Sequence, residues 1–126
     1  IGTNDLTQFL FAADRANAKL AERYDWLSPS SMRFLRRVQL SLAGHPVDIT
    51  VCGEMGGRRL EALALLGIGV RRLSITPAAI GPIKELVRKV DLPEITGAMN
   101  GWLSNPPHNL RAALAQWASE RGIEAD

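Results

Sequence analysis

Short β-branched runs alternating with helical patterns constrain this chain more than any other feature. Residues 48–51 read as a short buried strand, a helical pattern covers 59–66 and stops at Gly67, and 70–75 reads as another strand before Thr76-Pro77 opens the next helix. Strand, helix, strand and helix joined by only a few residues predict parallel βαβ units with right-handed crossovers, hence an α/β fold. Ile1-Gly2-Thr3 reads as the tail of a strand whose beginning is missing, so a piece of a longer protein is expected.

The remaining pattern is helical. A short helix is expected over 6–12, followed by an irregular loop to 27. Ser28-Pro29 marks a helix start with Ser as N-cap and Pro at the first helical position. Met32, Leu35, Val38 and Leu42 recur at helical spacing until Gly44-His45-Pro46 stops them. After Thr76-Pro77, the residues Ile80, Ile83, Leu86, Val87 and Val90 form an apolar stripe. Beyond 92 the strands cease, and helices are expected over 94–103 and, capped by Asn105, over 106–121. The expected organisation is therefore βα units over 1–92 and a helical tail over 93–126. Trp102 and Trp117 read as packing residues.

Composition narrows the function classes. With 126 residues, 46% of them hydrophobic, one domain can bury a core without staples. A single cysteine forms no internal disulfide and no CxxC metal site, and a reducing, cytoplasmic setting is expected. No apolar run approaches the ~20 residues of a bilayer span, so no membrane partner is expected. The arginines at 33, 36, 37, 58, 59, 71 and 72 lack interleaved aromatic residues, and the net charge is only +2. They read as solvated faces, and no nucleic-acid partner is expected.

Chemistry-bearing residues cluster just after the strands. Thr3, Asn4 and Asp5 follow the first, Cys52-Gly53-Glu54 the second and Ser74-Ile75-Thr76 the third. Strand ends of a parallel sheet point to one side, where residues distant in sequence converge. Asp5 offers a hard oxygen suited to Mg²⁺, although Asn-Asp before an apolar run is also an ordinary helix start. Arg15 offers a planar fork for phosphate, unless Asp14 pairs with it. Cys52 is a small core residue, a nucleophile or a proton donor. His45 should lie at the opposite end of the sheet, which leaves a nucleophile without a base; a thiol, mostly protonated at neutral pH, is favoured as an acid. Glu54 reads as a carboxylate that accepts backbone N–H bonds in its glycine-rich turn, ahead of a role as acid or metal ligand.

Four motifs then occur in a recognisable order: Ile1-Gly2-Thr3-Asn4-Asp5-Leu6-Thr7-Gln8, Asp14-Arg15-Ala16-Asn17, Val51-Cys52-Gly53-Glu54-Met55-Gly56-Gly57 and Leu73-Ser74-Ile75-Thr76-Pro77. Together they resemble the C-terminal, phosphoenolpyruvate-binding barrel of the phosphoenolpyruvate–protein phosphotransferases, first enzymes of the bacterial phosphotransferase system. The stretch 71–84 is most similar to the nitrogen-regulatory paralogue. The resemblance extends to about residue 90 and fades in the helical tail.

The resemblance implies the C-terminal portion of a (β/α)₈ TIM barrel and an enzyme that moves phosphoryl from phosphoenolpyruvate to its own histidine and on to a small phosphocarrier protein, releasing pyruvate. It implies Asp5 as one of two carboxylate ligands to Mg²⁺, Asn4 and Arg15 at the phosphoryl end of the substrate, and Cys52 as the acid that protonates C3 of the enolate. It also implies a homodimer. The phospho-accepting histidine is matched by neither His45 nor His108, so the isolated piece is expected to be inactive. Gly56-Gly57-Arg58 stands where the family often has Ala-Gly-Asp. The alternatives are a piece of pyruvate phosphate dikinase or phosphoenolpyruvate synthase, which share a Cys-Gly turn, or a non-catalytic dimerisation module.

Overall fold

Three separated stretches of chain lie side by side and run the same way. The computed structural model describes residues 1–14 and 16–125. In it β1 (Val51–Cys52) pairs in parallel with β2 (Leu73–Ser74), Val51 opposite Leu73 and Cys52 opposite Ser74. On the other flank of β1, Gly2 forms a parallel bridge with Cys52. The Val51 N–H donates to the Arg72 carbonyl at 3.0 Å and the Cys52 N–H to the Ile1 carbonyl at 2.9 Å, so β1 is the central row. All three rows therefore deliver the residues that follow them to one side, as the alternation predicted.

The strands are shorter than the sequence pattern suggested. Of 48–51, only Val51 is buried, while Asp48 and Thr50 are exposed and Asp48 pairs with Arg72 at 2.6 Å. Of 70–75, only Leu73 and Ser74 pair; Val70 is buried, but its N–H closes the turn onto the Leu65 carbonyl at 3.0 Å. A strand extends only as far as a neighbour satisfies its backbone groups, which residue preference cannot report.

Helices supply most of the packing. The first, α1 (Thr3–Phe11), begins earlier than the expected 6–12 because Gly2 acts as N-cap, and it ends at Ala12 in the left-handed region. A 3₁₀ segment, Ala18–Arg23, follows within the expected irregular loop. In α2 (Pro29–Ser41), Ser28 is the N-cap, its Oγ accepting the Ser31 N–H at 3.2 Å, and Met32 and Leu35 are buried. At the centre is α3 (Arg59–Gly67), buried at every residue from Leu60 onward. A helix apolar all round must be covered all round. Its neighbours are α4 (Pro77–Lys89), α5 (Leu92–Ser104) and α6 (Leu110–Ser119).

Three helical expectations are corrected. In α4 only Ile83 and Leu86 of the apolar stripe are buried, Val90 is half-buried, and Ile80 and Val87 are exposed, because α3 covers a narrower face than the stripe spans. The helix expected over 94–103 starts at Leu92, since the Asp91 carboxylate accepts the Glu94 N–H at 2.9 Å and Pro93 fits the first turn. The helix expected over 106–121 is α6, capped by Asn109 instead of Asn105; Asn109 Oδ1 accepts the Ala112 N–H at 2.9 Å, leaving both prolines outside. Trp117 is buried and Trp102 is half-buried against the core. The result is a helix-rich α/β unit, and among the described residues no helix is long and apolar enough to cross a membrane.

Candidate functional site

At the end of the parallel rows lies a cavity of about 730 Å³, with Asn4, Cys52, Glu54, Arg58, Ser74 and Thr76 among its lining residues. Each row contributes. Thr3 sits fully buried behind the wall, and its Oγ1 donates a 3.0 Å hydrogen bond to the Cys52 carbonyl, fastening the first row to the second. Gly53 then turns the chain with φ 103°, and a Cβ there would stand 2.9 Å from Thr3 Oγ1. Only glycine tolerates both the conformation and the approach.

Asn4 and Cys52 meet on this wall although 48 positions separate them in the sequence. The Asn4 side-chain oxygen is buried and has no hydrogen-bond donor among the described residues. A buried amide oxygen without a donor is costly, so it is a point at which a ligand gains binding energy. The Asn4 carbonyl is held by the Tyr24 hydroxyl, which ties α1 to the segment before α2. Cys52 is exposed, and its Sγ donates to the Ile1 carbonyl at 3.4 Å. The thiol is accessible from the cavity and hydrogen-bonded in its protonated form.

The other expected site residues are placed differently. Asp5 is exposed on the first turn of α1 and is not among the residues that line the cavity. Arg15 lies outside the described residues; Asp14 Oδ1 accepts the Ala16 N–H at 2.9 Å. Glu54 lines the cavity but accepts no backbone N–H bond among the described residues, which corrects the loop-holding role expected of it. His45 borders a second cavity with Asp48, Arg71 and Arg72, beside the start of the rows and away from Cys52. That separation agrees with the exclusion of a Cys–His pair.

For a metal ion, the described residues hold no group of three His, Cys, Asp or Glu side chains. What they do offer is oxygen: the orphaned Asn4 amide and the adjoining Asp5 carboxylate. Asn4 lies on the cavity wall and Asp5 outside its lining, and oxygen donors of this kind suit a hard cation that draws its other ligands from water, substrate and further chain.

Two residues were missed by sequence reasoning. Arg58 was assigned to a solvated face, yet it lines the cavity; its place directly after the Gly56-Gly57 turn was the available signal. Glu61 went unremarked inside an apolar helix, and it is 1% exposed, bonded by Arg111 Nη2 at 2.9 Å.

Comparison with known proteins decides the family. The profile described as PEP-utilising enzyme, PEP-binding domain, matches residues 1–92. The chain belongs to this family.

Among similar PEP-utilising proteins, the phosphoenolpyruvate-protein phosphotransferase of Borreliella burgdorferi is 39% identical over 83% of this chain and 18% of its own length. The Escherichia coli protein named phosphoenolpyruvate-dependent phosphotransferase system is 38% identical over 98% of this chain and 17% of its own length. A multiphosphoryl transfer protein of Xanthomonas campestris pv. campestris is 41% identical over 70% of this chain and 10% of its own length. The chain thus spans less than a fifth of the length of the curated relatives it matches. The matched region contains both parallel strands and the whole cavity wall, whereas α5 and α6 lie almost entirely beyond it.

Proposed function

We propose that this chain is the C-terminal portion of the (β/α)₈ barrel of a phosphoenolpyruvate–protein phosphotransferase, and of its nitrogen-regulatory type. The observation that carries the proposal is the meeting of Cys52 and Asn4 on one cavity wall at the ends of parallel rows. The relatives' names support the activity, and the short parallel ladder supports the barrel.

In the reaction, a histidine nitrogen elsewhere in the enzyme attacks the phosphorus of phosphoenolpyruvate. The bond from phosphorus to the enol oxygen breaks, and its electron pair stays on that oxygen as an enolate. Cys52 gives its thiol proton to C3 and pyruvate results; solvent then returns a proton to the sulfur. Asn4 offers its amide to the phosphoryl end, and the same role is proposed for Arg15. Asp5 would hold Mg²⁺, which supplies charge neutralisation at the phosphoryl oxygens when bound. The chain's own groups bind the substrate and place a proton donor at the accessible end of the rows.

The phosphohistidine then serves a small phosphocarrier protein in the cytoplasm. A homodimer is the expected assembly; Phe9 at 80% exposure and Leu40 at 59% are large apolar side chains left for covering. The test is incubation of the full-length protein with phosphoenolpyruvate labelled in its phosphoryl group. Acid-labile label on one histidine and an equal yield of pyruvate are expected. Unlabelled protein would refute the activity.

A further inference from the structure

The cavity wall contains one arginine whose hydrogen-bonding capacity is only partly used. Arg58 Nε lies 3.5 Å from Glu61 Oε1, and its guanidinium carbon stands 5.5 Å from the centroid of the Trp26 ring. Glu61 is itself fixed, because Arg111 Nη2 donates to the same Oε1 at 2.9 Å and to Asp25 Oδ1 at 2.8 Å. Arg58 is thereby held at its Nε edge and on one face. Its Nη1 and Nη2 groups engage no acceptor among the described residues, and the side chain is 58% exposed. It is also the only cation among the described residues that line the cavity.

An arginine whose Nε edge is ion-paired at 3.5 Å, and whose two Nη groups engage no acceptor among the described residues, has a planar fork to present to a carboxylate or phosphate. Stacking on an aromatic ring fixes the plane of that fork without consuming a donor. Nearby, the cavity is also lined by the Asn4 side-chain amide, whose NH2 group is a donor, by the hydroxyls of Ser74 and Thr76 and by the Glu54 carboxylate. Arg58 and the neutral donors beside it suit a small anion on their side of the cavity, and the Glu54 carboxylate on the same lining restricts the anion to that side.

We propose that Arg58 binds the anionic substrate of this cavity through Nη1 and Nη2, with Glu61 and Trp26 as positioning residues. The proposal rests on the phosphoenolpyruvate reading and deepens it by adding a substrate contact beyond Asn4 and Arg15. Both ends of the substrate are anionic oxygens of the kind a guanidinium grips, and the ligands used in the test separate them.

The test uses the full-length protein, its Arg58→Gln and Arg58→Lys variants, and thermal melting to verify folding. In R58Q the KM for phosphoenolpyruvate should rise about ten- to a hundred-fold, the range for losing a charged hydrogen bond, while kcat changes only a few-fold. R58K, which keeps the charge but lacks the fork, should recover part of the loss, and added guanidinium should rescue R58Q. Binding of pyruvate and of inorganic phosphate is measured alongside: weakened pyruvate binding places Arg58 on the carboxylate, and weakened phosphate binding places it on the phosphoryl group. A folded R58Q with unchanged KM overturns the proposal. Should R58Q not fold, R58K decides: a raised KM supports the proposal and an unchanged one overturns it. A parent protein that neither binds nor uses phosphoenolpyruvate defeats the underlying reading, whereas a competent parent with an indifferent R58Q defeats only the assignment of Arg58.

Discussion

Thr3 Oγ1 donates a 3.0 Å hydrogen bond to the carbonyl of Cys52, joining the end of the first row to the end of the second at the cavity wall. Thr3 is completely buried, so removal of its hydroxyl leaves that carbonyl without this partner. Thr3→Val should destabilise the protein by about 1–3 kcal/mol and Thr3→Ser by less, as measured by urea unfolding. Gly53→Ala combines a φ of 103° with a 2.9 Å approach to the same hydroxyl. It should cost about 1–3 kcal/mol and disturb the placement of Cys52 as well.

Gly67 sets how closely α3 and α5 approach. A Cβ there would meet Met99 Cγ at 2.5 Å and the Ile95 carbonyl at 3.2 Å, so Gly67→Ala overpacks the core and should cost about 1–3 kcal/mol. Met99 can retreat and the Ile95 backbone cannot. Met99→Ala in the Gly67→Ala background should therefore relieve only part of the strain between the two sites, which a double-mutant cycle would show as coupling.

Arg111 joins α6 to the buried carboxylate of α3. Burial opposes its charge, yet the hydrogen bonds and charges of Asp25 and Glu61 outweigh that and hold its guanidinium above the ordinary value. Among the described residues, Arg111→Ala leaves the Glu61 carboxylate with only the 3.5 Å contact to Arg58. The loss should be about 3 kcal/mol, the low end for a broken buried pair because Arg111 is 37% exposed. Adding Glu61→Gln should recover much of this, since the uncompensated charge disappears.

Glu85 predicts an acid-side signature. Hydrogen bonds from Lys89 Nζ at 3.0 Å and Arg59 Nη2 at 2.7 Å, with their charges, hold its carboxyl below the ordinary glutamate value. The unfolded chain thus binds more protons between the two values, and stability rises with pH there. The contribution is complete above the ordinary glutamate value and is lost as pH falls through the lower, folded one. Glu85→Gln should flatten that part of the stability curve, and salt should weaken the effect in the parent.

What the sequence revealed was local or periodic. Ser28 as a cap and the helix after Thr76-Pro77 depend on neighbours a few residues away, and both stand, whereas Gly67 is the last residue inside its helix and the left-handed turn falls at Gly69. The parallel direction of the rows followed from the alternation of elements. Strand lengths did not, since Asp48 and Thr50 have the composition of a strand but no pairing partner along them. The caps at Asp91 and Asn109 were missed because a proline can stand inside a first helical turn or before it, and the residue types are the same. Asn4 and Cys52 were legible as strand-end residues, and the structure brings them together. Arg58 was not, because charge alone cannot distinguish a solvated face from a cavity wall, and the distinction came from Glu61 and Trp26 beside it.

The central claim is that Cys52 delivers the proton that turns the enolate into pyruvate. Cys52→Ala in the full-length protein tests it through two readouts on one sample, phosphoenolpyruvate binding and pyruvate release. Binding should stay within a few-fold of the parent while pyruvate release falls about 10²- to 10⁴-fold, the usual contribution of a positioned acid. Pyruvate release at the parental rate from the folded variant would contradict the account.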